Sequence, residues 1–208
     1  MTPAPLNDNE ERSDLPAGGF SEWLIGVQAA MHGDADSDVA CDGCTACCTS
    51  SQFVHIGPDE FGPLSRIPNE LLFPAPMMPA GNMLMGYDER GHCPMLTDDG
   101  CSIYDERPRT CRTYDCRIFP AAGVGLDHDE SLISLRARRW RFDHPTTSDT
   151  AEHGAVRAAA RFISEHGDPS DEGRKPSNDT QLAVLAVRYH ERFVLPTSPT
   201  TPEAGPDD

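Results

Sequence analysis

The stretch CDGCTACC, residues 41–48, places four cysteines, Cys41, Cys44, Cys47 and Cys48, within eight positions. The other four, Cys93, Cys101, Cys111 and Cys116, lie in GHCPMLTDDGCSIYDERPRTCRTYDCR, residues 91–117. No cysteine occurs elsewhere in the 208-residue chain. Disulfides that staple a small exported fold are usually spread over it, so this segregation argues against a disulfide framework. The adjacent Cys47 and Cys48 could bridge each other only through a strained ring. Isolated buried thiols would have no reason to recur at two-residue gaps. Thiolates converging on a metal do, because a short loop or helical turn brings the sulfurs within reach of one centre.

At about 100° per residue, a helix over 41–48 would hold Cys41, Cys44 and Cys48 within about 60° of one another and Cys47 about 60° further round. A loop with the same gaps also suits chelation. In neither geometry do Cys47 and Cys48 point the same way, so they serve different metals, or one is a spare or redox thiol. In the second half, Asp98-Asp99-Gly100 predicts a turn that aims Cys93 and Cys101 inward from a short hairpin. Asp105, Glu106 and Pro108 then predict a helix start, with Cys111 one turn in and Cys116 near the helix end.

CxxCxxCC at 41–48, Cys93-Pro94-x-Leu96, and GCSIYDERPRTCR at 100–112 together resemble the YkgJ-like cysteine-cluster family, described as zinc- or iron-chelating proteins. The likeness covers roughly residues 38–120. It implies metal ligation by Cys41, Cys44, Cys47, Cys48, Cys93, Cys101 and Cys111. Cys116 joins them on its local surroundings. Some flagellin lysine N-methylases resemble the same cysteine core, which supplies an enzymatic alternative. Against it, this chain is short and lacks both a Gly-rich strand-to-helix turn and the CxxxCxxC spacing of a radical-generating cluster. A structural-zinc module for protein interaction is the third reading. The ligand set fits zinc or iron, the latter as an iron–sulfur cluster able to carry electrons.

A formal charge of −17 argues against general affinity for nucleic acid or anionic membrane, which are gripped by surplus Lys and Arg. Between Arg107 and Arg141, however, eight arginines face four acids. Arg107, Arg109, Arg112 and Arg117 alternate with the last cysteines. They either offset a negative thiolate centre or pair on the surface with Asp105, Glu106 and Asp115. Arg136, Arg138, Arg139 and Arg141 interleave with Trp140 and Phe142; in so acidic a chain, internal pairing is the expectation and nucleic-acid binding is not. Met77, Met78, Met83, Met85 and Met95 read as core fillers in preference to copper ligands. His92, abutting Cys93, is the one histidine with a ligand-like position. No catalytic residue is identifiable.

Residues 1–19 read as a solvated acidic arm without signal or transit pattern, and 196–208 as a disordered Pro-rich tail. Between them, 20–195 reads as one domain, with a metal-binding core at 38–120 and a helical remainder at 121–195. Ser21–Met31 predicts a helix capped by Ser21, with Trp23, Leu24, Val27 and Met31 on one stripe, packed beside the cluster. Helices are also predicted at Ala151–His166, with Val156, Ala159, Phe162 and Ile163 inward, and at Thr180–Phe193, with Leu182, Leu185, Ala186 and Tyr189 inward. Short extended segments fall near Val54–Ile56 and Asn82–Tyr87. The expected fold is mainly α, with irregular loops and a small β-hairpin, organised around a cysteine metal site in a cytoplasmic protein. No apolar run is long enough to span a bilayer. A metal ion or cluster is the expected partner, and no protein partner is identifiable.

Overall fold

The computed structural model describes residues 13–37, 39, 43–125 and 131–194. Cys41, the terminal tail and the acids Asp127, Asp129 and Glu130 lie outside the described residues. Helices dominate, as expected, but three small sheets accompany them, so the fold is mixed.

One layer is helical. Helix α1 (Phe20–His32) buries Phe20, Trp23, Leu24, Val27 and Ala30. Ser21 is not its cap. Gly19 occupies that position, and the exposed Ser21 N–H is satisfied from another element, by Asp149 Oδ1 at 2.8 Å. Asp149 lies in the first turn of α6 (Thr147–His166), in a capping box with Thr146. Three N–H and O–H donors on one carboxylate, Ser21 N foremost, hold its pKa well below the usual range. Helix α6 buries Val156, Ala159 and Ile163 as predicted, whereas Phe162 lies on the exposed side. Helix α7 (Asp179–Tyr189) is capped by Asn178 and buries Ala183, Leu185, Ala186 and Val187, while Leu182 and Tyr189 are only half-buried. The predicted face was thus rotated slightly. Lys175 Nζ donates to Ser164 O and Glu165 O at 2.6 and 2.5 Å, satisfying carbonyls at the end of α6.

Leu15–Gly19, placed by composition in the acidic arm, is a strand, β1. It pairs in parallel with β7 (Trp140–Asp143), Leu15 opposite Trp140 and Gly19 opposite Asp143. The sheet has two strands, so both are edges and Pro16 is tolerated. This pairing accounts for part of the arginine patch: Arg141 bridges Asp14 at 2.9 Å and Arg139 Nε donates to Ser13 O at 2.8 Å. The strands and helices enclose a core of Phe20, Trp23, Val27, Cys116, Phe119, Trp140, Val156 and Val187, among others.

A second, smaller core belongs to the cysteine segment. Strands β2 (Val54–Ile56), β3 (Leu72–Pro74) and β4 (Met83–Met85) form an antiparallel sheet in the order β2-β4-β3. Two of these strands fall in the predicted extended segments; β3 was not foreseen. Val54, Ile56, Ile67 and Met85 are buried there, with Met83, Met95 and Cys93 packed against them. Met83, Met85 and Met95 are therefore core fillers, while Met77 and Met78 are exposed. The predicted hairpin forms as β5 (Leu96–Thr97) and β6 (Gly100–Cys101). Among the described residues no helix is long and apolar enough to cross a membrane.

Candidate metal centre

The CxxCxxCC stretch is not a helix in its described part. Gly43 takes a positive φ of 67°, which stops a helical run, and a 3-10 turn forms only at Cys47–Thr49. Hydroxyl groups close this turn, Thr49 Oγ1 donating to Thr45 O at 2.9 Å and Ser50 Oγ to Ala46 O at 2.6 Å. The second cysteine group is then pressed against it. Gly91, at φ 79°, lies so close that a Cβ there would stand 2.3 Å from Ser51 Oγ. Ser51 N donates to Gly91 O at 2.9 Å, and Cys93 N donates to Cys48 O at 2.6 Å. Cys101 follows on β6, directly across the hairpin from Leu96.

Cys111 sits on α3 (Arg109–Thr113), whose first turn has no capping side chain of its own. Glu60 supplies one from a distance. Its buried carboxylate accepts from Arg109 N at 2.5 Å and Gly57 N at 2.7 Å, and Thr110 Oγ1 donates to His55 O at 2.8 Å. Cys111 is thereby fixed to the small sheet. The predicted helix does not continue to Cys116. It breaks at Tyr114, because the Asp115 carboxylate turns back to accept from Arg117 N at 2.9 Å and from the Arg117 guanidinium at 2.8–3.1 Å. Trp23 Nε1 and Ser37 Oγ donate to the same carboxylate at 2.8 and 3.2 Å, so α1 packs beside the cysteine segment as predicted.

All seven described cysteines, Cys44, Cys47, Cys48, Cys93, Cys101, Cys111 and Cys116, line one cavity of about 390 Å³. It opens where the two cores meet: Ile133 and Cys116 come from the helical side, Val54, Met85, Met95 and Ile103 from the other. Among the described residues, no three Cys, His, Asp or Glu side chains converge at one point closely enough to hold a single ion. The sulfurs stand around the wall instead.

Their electrostatics divide them. Burial pushes the Cys111 thiol up to about 12, and the charges of Cys93, Cys48 and Cys101 add to the shift. Cys111 has accessible surface because it faces the cavity, yet the walls withdraw it from bulk water. Cys93 is raised in the same way, by burial first and then by Cys101. Cys93, Cys48 and Cys101 thus each bear on Cys111, and Cys101 on Cys93, strain that a bound cation would relieve. Cys47 and Cys116 lie on another side, around Tyr114, whose phenol is pushed up by burial and then by those two sulfurs and Asp115.

Arg107, Arg112 and Arg136 also line the cavity. Arg107 stacks over Tyr104, 3.8 Å from the ring centroid, and Arg112 pairs with Asp36 and donates from Nε to Arg107 O at 3.0 Å. Arg109 points away and bridges Asp59 on the surface, and Arg117 pairs with Asp115 in the interior. Arg117 thus takes the Asp115 partner weighed from sequence, but in the interior, while Arg109 and Arg112 pair with Asp59 and Asp36. His92 does not line the cavity. Sequence reasoning missed Glu60, which carries no local signal because it acts 49 positions away from Arg109. It also missed Tyr114, although an aromatic residue between Cys111 and Cys116 was a signal that could have been used.

Residues 40–131 match the CxxCxxCC family model, described as a "Putative zinc- or iron-chelating domain". The match bears out the resemblance carried by the order of its cysteines. No curated protein and no solved structure matches the chain.

Proposed function

We propose that the cysteine cavity holds an iron–sulfur cluster and that the protein transfers electrons through it. The observation that carries this reading is the convergence of cysteines from both halves of the segment on a single cavity. Cys48, Cys93, Cys101, Cys111 and Cys116, all in the cavity wall, supply the thiolates that would hold the group. Sulfurs spread around a wall of about 390 Å³ suit a polynuclear centre better than one zinc ion, which needs its four sulfurs about 2.3 Å from a single point. When bound, such a cluster supplies one-electron chemistry. The chain's own residues do the rest. Phe53, Met85, Met95 and Ile103 keep water from the thiolates, and Arg107, Arg112 and Arg136 offset the net negative charge that four thiolates leave on the centre. Cys44 and Cys47 complete the cavity wall, and Cys41 joins the set through the family's motif.

The test is purification without oxygen, followed by a visible spectrum and assays for iron, zinc and acid-labile sulfide. Broad absorption near 400 nm, with iron and sulfide in equal amounts, is the expected result. A colourless protein carrying stoichiometric zinc would replace the cluster with a closed structural site and remove the electron-transfer role.

A further inference from the structure

The chain has two tryptophans, and both donate their indole N–H to neighbouring residues of one segment. Trp23 Nε1 donates to Asp115 Oδ2 at 2.8 Å, and Trp140 Nε1 donates to Cys116 Sγ at 3.1 Å. Both rings are buried, as are Asp115, Cys116 and Arg117. The Asp115–Arg117 ion pair and the Arg117 Nη1 donation to Ala17 O at 3.2 Å tie the segment to β1. Cys116 is thus pinned between two anchored neighbours while its sulfur contributes to the cavity wall.

A neutral thiol is a weak acceptor, whereas an anionic or metal-bound sulfur is a strong one. An indole N–H at 3.1 Å from the sulfur suits the strong acceptor. The donor is itself reinforced. The Arg136 guanidinium carbon lies 5.1 Å from the Trp140 ring centroid, and a cation over the ring draws electron density from it and makes its N–H more acidic. Arg136 and Cys116 both line the cavity, and the Trp140 indole joins them without lining it itself. Hydrogen bonds to ligating sulfur set the electronic properties of thiolate metal centres.

We propose that Cys116 faces the metal and that Trp140 is its positioning residue, orienting the sulfur and reducing its donor strength through the N–H···S bond. This rests on the metal-centre reading above. It also gives the SLRARRWRF segment a role in the site: Trp140 and Arg136 act on the sulfur from outside the family's cysteine motif.

The experiment reconstitutes the full-length, metal-stripped protein with iron and sulfide under anaerobic conditions and records its sulfur-to-iron charge-transfer band. Trp140→Phe takes up as much iron as the wild type, but its band moves to lower energy, because the sulfur has lost a donor. Cys116→Ser loses part of the band's intensity. Replacing both tryptophans with 5-fluorotryptophan, which keeps the shape and makes the N–H more acidic, moves the band the opposite way; this arm carries the test if Trp140→Phe fails to fold. A fully loaded Trp140→Phe protein whose band superimposes on the wild type, or a fluorotryptophan protein with no shift, overturns the role of Trp140. Failure of the wild type to form a cluster overturns the metal-centre reading itself, and this inference with it.

Discussion

The backbone N–H of Cys93 donates to the carbonyl of Cys48 at 2.6 Å, joining the two cysteine groups directly. The junction depends on Gly91, where positive φ and contact with Ser51 leave no room for a side chain. Gly91→Ala introduces backbone strain of about 1–2 kcal/mol and pushes Ser51 aside. Urea denaturation should register that loss, together with weaker metal retention. The double variant Ser51→Ala/Gly91→Ala should recover the steric part alone. Full metal content and unchanged stability in Gly91→Ala would show that the two halves do not need this contact.

Glu60 acts as a remote cap for the helix that carries Cys111. Glu60→Ala leaves the Arg109 and Gly57 amides without their acceptor, at about 1.5–3 kcal/mol for each hydrogen bond to a charged group. Amide hydrogen exchange by NMR should show faster exchange at Arg109 and Gly57, with smaller changes in α6 and α7. Equal protection in the variant and the wild type would refute the capping role.

Asp115 is buried with Arg117 and accepts from Trp23 and Ser37 as well. Removing one partner of a buried pair leaves the other charge uncompensated, which costs about 3–5 kcal/mol. Asp115→Asn should therefore destabilise the fold by that order in chemical denaturation and alter the fluorescence of Trp23. A loss below about 1 kcal/mol would mean that the pair is dispensable.

His153 predicts a pH dependence far from the cysteines. Its ring stacks on Phe20 at 4.2 Å and hydrogen-bonds His144 at 2.8 Å. Burial, then the Arg157 and His144 charges, lower its pKa to about 4. The unfolded chain therefore takes up the proton first as pH falls. Stability from this group is full above the unfolded value of about 6.5, declines as pH falls from there, and is gone below about 4. The ring is half-buried, so solvent screening holds the effect to about 1–2 kcal/mol. Thermal unfolding from pH 7 to pH 4 should show a shallower decline for His153→Phe than for the wild type; parallel curves would contradict the assignment.

Local signals in the sequence carried the hairpin, the long helices and the grouping of cysteines. Asp98-Asp99-Gly100 specifies a turn by its chemistry, and helical period alone marks α6. Features set by distant partners were not legible. Leu15–Gly19 resembles an arm because its Pro and Gly content disfavours a strand, and only pairing with β7 overrides that. Ser21 resembles a cap, but it lies in the first turn of α1, where Asp149 from α6 accepts from its own backbone N–H. The helix through Cys111 ends early because the Asp115 side chain makes tertiary hydrogen bonds that no local pattern encodes. For the site, residue types were visible in the sequence. That Cys116 and Arg136 would share the cavity wall, joined by the Trp140 indole, was not.

The most direct test of a centre built jointly by both cysteine groups is metal stoichiometry in four single variants, Cys48→Ser, Cys93→Ser, Cys101→Ser and Cys111→Ser, purified without oxygen beside the wild type. Each should lose most of its bound metal, whichever half of the segment it comes from. Wild-type metal content in the Cys93, Cys101 and Cys111 variants, with only Cys48→Ser affected, would contradict the composite site and confine binding to the CxxCxxCC stretch.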